Sequence, residues 1–264
     1  MRFDLAFYLT DQWMIAAAVG AVLLAACEAG YRLGLRERTA PDQFRSLISG
    51  VGAAMLGLLG LLLGFTLSMA ISRWDERRDV IVSEANAIGT LWLRAGLLEE
   101  PLRGELRDTL RHYTDARIRL AGSRGDLAAL RAAREESEGL HAPIWSAVER
   151  ANQPGTSNAV LSSFIAAANQ LIDLHELRMA SLENFLPSAF VLTLLAVAAV
   201  ALAFLGWSFG AASHGGRLAL LLLALLVTTV LLLIMDVNRP QRGIITVGAE
   251  PLMRVQTSIA APMP

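Results

Sequence analysis

The chemistry-bearing residues of this chain are few, and their spacing excludes more than it allows. The four histidines are His112, His141, His175 and His214, and none lies in an HExxH spacing, which would set two imidazoles around a metal on one helix face. Cys27 is the single thiol, so neither a CxxC nor an intrachain disulfide can form. There is no GxSxG elbow and no phosphate-cradling loop. His175 beside Glu176 could take a proton or a metal, but a solvated helix face is the expected role. With no nucleophile–base pair, the sequence predicts no catalytic residue, no metal, no cofactor and no enzyme. One stretch carries a different chemistry. Gly57, Leu61 and Phe65 recur every four residues and share one helix face. Thr66, Ser68 and Ser72 then bring hydroxyls, and Arg73, Glu76, Arg77 and Arg78, with Asp75 among them, bring charge. Several copies of such a helix around an axis would make an apolar collar that gates ions by dewetting, with charged rings beyond it. Alternatively, Leu61 and Phe65 face lipid or a neighbouring helix.

Membrane-spanning elements must position that stretch. The chain has 264 residues, 54% of them hydrophobic, above the usual level for soluble domains. The excess falls into four blocks, Trp13 to Ala29, Leu47 to Ile71, Leu186 to Trp207 and Leu218 to Met235. Each is close to the roughly 20 residues that cross a bilayer. The first helix is expected from about Gln12 to Leu33, retained rather than cleaved, because Asp4, Asp11 and Glu28 do not suit a signal peptide. Its leader, 1–12, reads as an interfacial segment. Glu28 and Arg32 are placed for an i,i+4 ion pair, and Cys27 for a buried, inert position. The second helix begins near Phe44 and, lacking proline, continues from Gly50 to Asn86 out of the bilayer near Arg73. Its glycines at 50, 57 and 64, and the Gly60–Gly64 pair, allow close helix packing, against another element or against copies of itself.

The expectation is an all-α integral membrane protein with four transmembrane helices and a helical cytoplasmic domain between helices 2 and 3. Its parts are 1–72 (leader and helices 1–2), 73–184 (cytoplasmic helical domain), 185–236 (helices 3–4) and a tail, 237–264. Within 73–184 the patterning predicts helices at 73–98, 101–121, 125–152 and 156–184, with Pro143 kinking or breaking the third. Turns fall at 122–125 and 153–155, and Thr156, Ser157 and Asn158 offer N-caps. Val160, Phe164, Leu171, Leu174 and Leu182 form one apolar stripe. Asn169, Asp173 and Arg178 are expected to bond within the domain, to Asn86 or Arg94. The tail shows no helical pattern; Ile244, Ile245 and Val247 offer at most a short extended segment. Arginines near membrane ends favour a cytoplasmic domain and cytoplasmic termini. Interleaved acids and bases leave no footprint for nucleic acid.

The segment LLGFTLSMAISRWDERRDVIVSEANAIG (62–89) resembles the second membrane helix of bestrophins, in its Gly64–Phe65, its hydroxyl stretch and its Arg73–Trp74 pair. The whole chain is more similar to a bacterial bestrophin-like family, through EANAIGTLWLRA (84–95), NQLIDLHELR (169–178) and DVNRPQRG with the later Pro251–Leu252. The resemblance implies a homopentameric channel in the bacterial inner membrane, conducting small inorganic ions, chloride first. It maps the pore neck onto Leu61, Phe65 and Gly57, the last standing where bestrophins carry a larger apolar residue. The polar lining would be Thr66, Ser68 and Ser72, and the mouth charge Arg73, Glu76, Arg77 and Arg78. The acidic calcium clasp of animal bestrophins is missing, with only Asp236 and Asn238 offering oxygens there. A different reading is a non-conducting sensor or scaffold whose helical domain docks a partner.

Overall fold

A computed structural model describes residues 12–39, 41–123, 126–152, 157–212, 216–239 and 243–261. The expectations for the leader, the 153–155 turn, Thr156 and His214 lie outside these residues. The described chain is all-α, without a strand. Its helices are α1 (Gln12–Arg36), α2 (Asp42–Ala95), α3 (Leu102–Gly122), α4 (Leu127–Gly139), α5 (His141–Ala151), α6 (Asn158–Glu183), α7 (Ser188–Ala211), α8 (Arg217–Val237) and α9 (Glu250–Ala260). They fall into two compact units. One comprises 12–73, 185–239 and 243–245, the other 74–184 and 246–261.

The first unit holds the apolar helices, four of which are long and apolar enough to cross a membrane. Its tightest pairing is α1 on α7. Glycine makes that pairing possible. A Cβ on Gly30 would overlap the Ala203 carbonyl oxygen, and one on Gly34 that of Trp207. In return, Gly206 lies against the Cys27 carbonyl and Gly210 against that of Tyr31. Two small-xxx-small faces thus interlock at backbone distance, the usual solution where lipid offers no hydrophobic drive for helix association. Cys27 is buried there, and Glu28 pairs with Arg32 at 2.7 Å and also with Arg217 at 3.2 Å.

The end of α8 is fixed by its polar residues. Asp236, buried, accepts the main-chain N–H groups of Ile244 (3.0 Å) and Ile245 (2.8 Å). Asn238 Oδ1 accepts the N–H of Leu186 at 3.1 Å. Gly243 turns the chain at φ +121°, and a side chain there would also strike the Asp236 carboxylate.

In the second unit the helix expected at 125–152, with Pro143 kinking or breaking it, is indeed broken, at Leu140 between α4 and α5. Pro143 has no N–H for the Gly139 carbonyl, so the helix ends before it and restarts with proline in the first turn. The tail is not devoid of helix, because α9 occupies 250–260. Pro251 starts it, and Leu252 and Ile259 are buried in the unit's core with Val255 against them. His175 is not on a solvated face but fully buried, while its neighbour Glu176 is exposed. The core itself gathers Ile88 and Leu91 of α2, Leu106, Leu110 and Tyr113 of α3, Ile144 of α5, and Phe164 and Leu171 of α6. Full burial of each large side chain contributes about 1.5–3 kcal/mol.

Beside that apolar core lies a buried ionic group. Glu84 (α2) is fully buried and takes Arg117 (α3) on one carboxylate oxygen and Arg178 (α6) on the other. Tyr113 donates to the first oxygen at 3.3 Å. Burial alone would raise the Glu84 carboxyl; the two guanidiniums outweigh it and hold it below the ordinary range. Arg117 also donates to Ser137 Oγ (3.3 Å) and meets His175 Nδ1 at 2.9 Å. An arginine has no acceptor, so His175 must accept there and carry its proton on Nε2. Arg178 therefore bonds within the unit as expected, though to Glu84 rather than Asn86 or Arg94. Asn169 and Asp173 are exposed, and Arg94 donates to the Ser163 carbonyl.

A pH dependence follows. Burial, then the charge of Arg117, pushes His175 down to about 4. Its unfolded value is about 6.5. Between these values the unfolded chain binds a proton that the native state refuses. Stability is therefore full above pH 6.5 and falls as pH drops toward 4, by about 3 kcal/mol in all. Thermal melts from pH 7 to 4 should show this fall, and His175→Gln, which keeps an acceptor for Arg117, should flatten it.

Candidate functional site

Helix α2 runs 54 residues without a proline, so the stretch from Gly50 to Asn86 is one uninterrupted helix, as expected. Exposed positions cover much of its circumference, and one stripe of them runs from the apolar half into the polar half. Leu61 and Phe65 are 55% and 65% exposed, and Gly57, Ser68, Ser72, Asp75 and Asp79 are exposed with them. The steps from 57 to 79 are four, four, three, four, three and four residues, which keep one face of a 3.6-residue helix. Glu76 lies at the edge of the stripe and is exposed. A Cβ added at Gly57, Gly60 or Gly64 would meet nothing within 4 Å. These glycines do not serve packing against the described residues of their own chain, unlike those of α1 and α7.

The site residues expected from sequence divide accordingly. Gly57, Leu61, Phe65, Ser68, Ser72 and Glu76 are brought together on the open side. Thr66 is not: it is buried, and its hydroxyl donates back to the Leu62 carbonyl at 2.7 Å. Arg77 is 4% exposed, with Nε on the Ser181 carbonyl (3.3 Å) and Nη2 on that of Asn184 (3.0 Å). Arg73 is half-buried; Arg78 is exposed, its guanidinium 5.9 Å from the Trp74 ring. The charges that share the stripe are thus the carboxylates Asp75 and Asp79, with Glu76 beside them. Asp79 was missed by the sequence reading, although the alternating three- and four-residue steps run straight to it.

No group of three or more His, Cys, Asp or Glu among the described residues is placed to hold a metal ion. Asp236 and Asn238, the two oxygen donors at the end of α8, are engaged by main-chain N–H groups.

Comparisons with known proteins agree on the architecture. A search of curated protein sequences finds no match. Crystal structures of a bacterial bestrophin homologue from Klebsiella pneumoniae do match. A tryptophan-to-alanine variant has a TM-score of 0.66 at 13% identity, covering 92% of this chain and 95% of that one. A leucine-to-threonine variant has the same TM-score and identity, covering 92% and 99%. The profile of the Bestrophin-like domain matches residues 17–252, nearly the whole sequence. With a family match of that extent and a bestrophin fold around it, this chain belongs to the bestrophin-like domain family.

Proposed function

We propose that this protein is an oligomeric ion channel of the bestrophin type, five copies of which place the open stripe of α2 around a central path. The observation that carries the reading is that stripe: small and large apolar residues exposed in the membrane-spanning part, then hydroxyls, then carboxylates. Gly57, Leu61 and Phe65 form the neck, with Gly57 leaving its first ring wide. Ser68 and Ser72 offer oxygens to an ion leaving the collar. The family resemblance points to chloride. The charge placement favours cations instead, because Asp75, Glu76 and Asp79 share the path while Arg77 is turned into its own chain. Carboxylate rings attract cations, and arginine rings attract anions. The chain sits in the bacterial inner membrane with its helical unit in the cytoplasm, supported by the arginine excess at that end.

Purified protein in liposomes tests this. A potassium chloride gradient should give a reversal potential on the potassium side. Phe65→Ala should raise flux severalfold by widening the collar. Asp75→Asn with Asp79→Asn should move the reversal potential toward chloride. Silent liposomes, with Phe65→Ala equally silent, would instead favour a non-conducting scaffold. A chloride-sided potential that ignores the aspartates would restore the anion reading.

A further inference from the structure

The helical unit buries more positive than negative charge. Its buried charged side chains among the described residues are Arg77, Arg117 and Arg178 against the single carboxylate of Glu84. Burying a cation is costly unless an anion or a full set of acceptors meets it. Arg77 has main-chain carbonyls. Arg117 and Arg178 share one carboxylate between them, which leaves one positive charge in excess. Arg178 is 3% exposed, and its Nε has no hydrogen-bond acceptor.

Both Arg77 and Arg178 line a cavity of about 20 Å³, enough for one water-sized occupant. Its other walls are Ile81, Ala121, Ser181, Leu182 and Val247. No carboxylate among the described residues lines it. The Ser181 hydroxyl donates to the Arg178 carbonyl at 2.8 Å and so does not supply the missing charge. Two guanidiniums on a wall whose other described side chains, Ser181 apart, are apolar make a site for a small, weakly hydrated monovalent anion.

We propose that this cavity binds a halide, chloride in the cell, which neutralises the excess charge and ties α2, α3, α6 and the start of the tail together. The site is separate from the α2 stripe and does not depend on whether the chain conducts. Chloride concentration would then set the stability of the helical unit.

The test uses the full-length protein in detergent at fixed pH and ionic strength, with bromide exchanged for gluconate. Bromide should raise Tm by a few degrees in a saturable way. Val247→Asp places a tethered carboxylate at the cavity wall; it should raise Tm in gluconate and abolish the bromide response. Val247→Asn, of similar size but neutral, should keep the response. Bromide diffraction should show an anomalous peak between Arg77 and Arg178. A Tm that ignores bromide, or a bromide response undiminished in Val247→Asp, overturns the proposal.

Discussion

Glu84→Gln is expected to lower stability by about 3–5 kcal/mol, the range for removing one partner of a buried ion pair. The carboxylate holds two guanidiniums that are themselves buried, and Tyr113 leans on the same oxygen. Glutamine keeps the volume but offers one acceptor oxygen and no charge. Arg117 and Arg178 would then stay buried without the carboxylate that they share. Thermal unfolding of the purified protein measures the loss. A control separates charge from packing: Glu84→Leu combined with Arg117→Met and Arg178→Met removes every ion together. That triple variant should be more stable than the single one, because replacing a whole buried ionic group by apolar residues is often close to neutral. An unchanged melting temperature in Glu84→Gln would mean the group is not held as described.

The second large effect is expected at the α1–α7 crossing. Gly30→Ala and Gly206→Ala should each cost about 1–3 kcal/mol or more, since the added methyl meets a backbone carbonyl that cannot move without its helix. Gly57→Ala, Gly60→Ala and Gly64→Ala supply the contrast. Their Cβ atoms point into open space, so the fold of the chain should tolerate them. Alanine even favours the helix by up to about 1 kcal/mol per site. Melting temperature and detergent-resistant yield of the five variants should separate the two groups cleanly. Equal losses in both would show that α2 packs as tightly as α1 does.

This contrast shows what was legible in the sequence. The four spans and the long α2 were readable because apolar run length and the absence of proline are local properties. The two kinds of glycine were not separable, since a glycine at a crossing and a glycine in the open have the same neighbours in sequence. The heptad of Gly50, Gly57 and Gly64 drew attention, while Gly30, Gly34, Gly206 and Gly210, which hold the unit together, did not. The polarity change along α2 was legible, but its rotation was not. Thr66 and Arg77 fall on the buried side because Leu59, Leu63 and Ala70 share it. Helix α9 escaped because its large apolar residues, Leu252, Met253, Val255 and Ile259, are few, Met253 is exposed, and Leu252 and Ile259 gain meaning only from the core they enter. His175 escaped for the same reason: its partner Arg117 is 58 residues away.

The buried ionic group also sets a schedule for synthesis. Glu84 emerges from the ribosome 94 residues before Arg178, its second partner. At about 5–20 residues per second, that gap lasts roughly 5–20 s. Throughout it the nascent chain carries an acid that has at most Arg117 to neutralise it, so the interior of the helical unit cannot close. Closure comes later still, once α9 delivers Leu252 and Ile259 to the core after the last apolar block has been made. Slow codons or a stall between those points would prolong exposure of this half-built core to proteases.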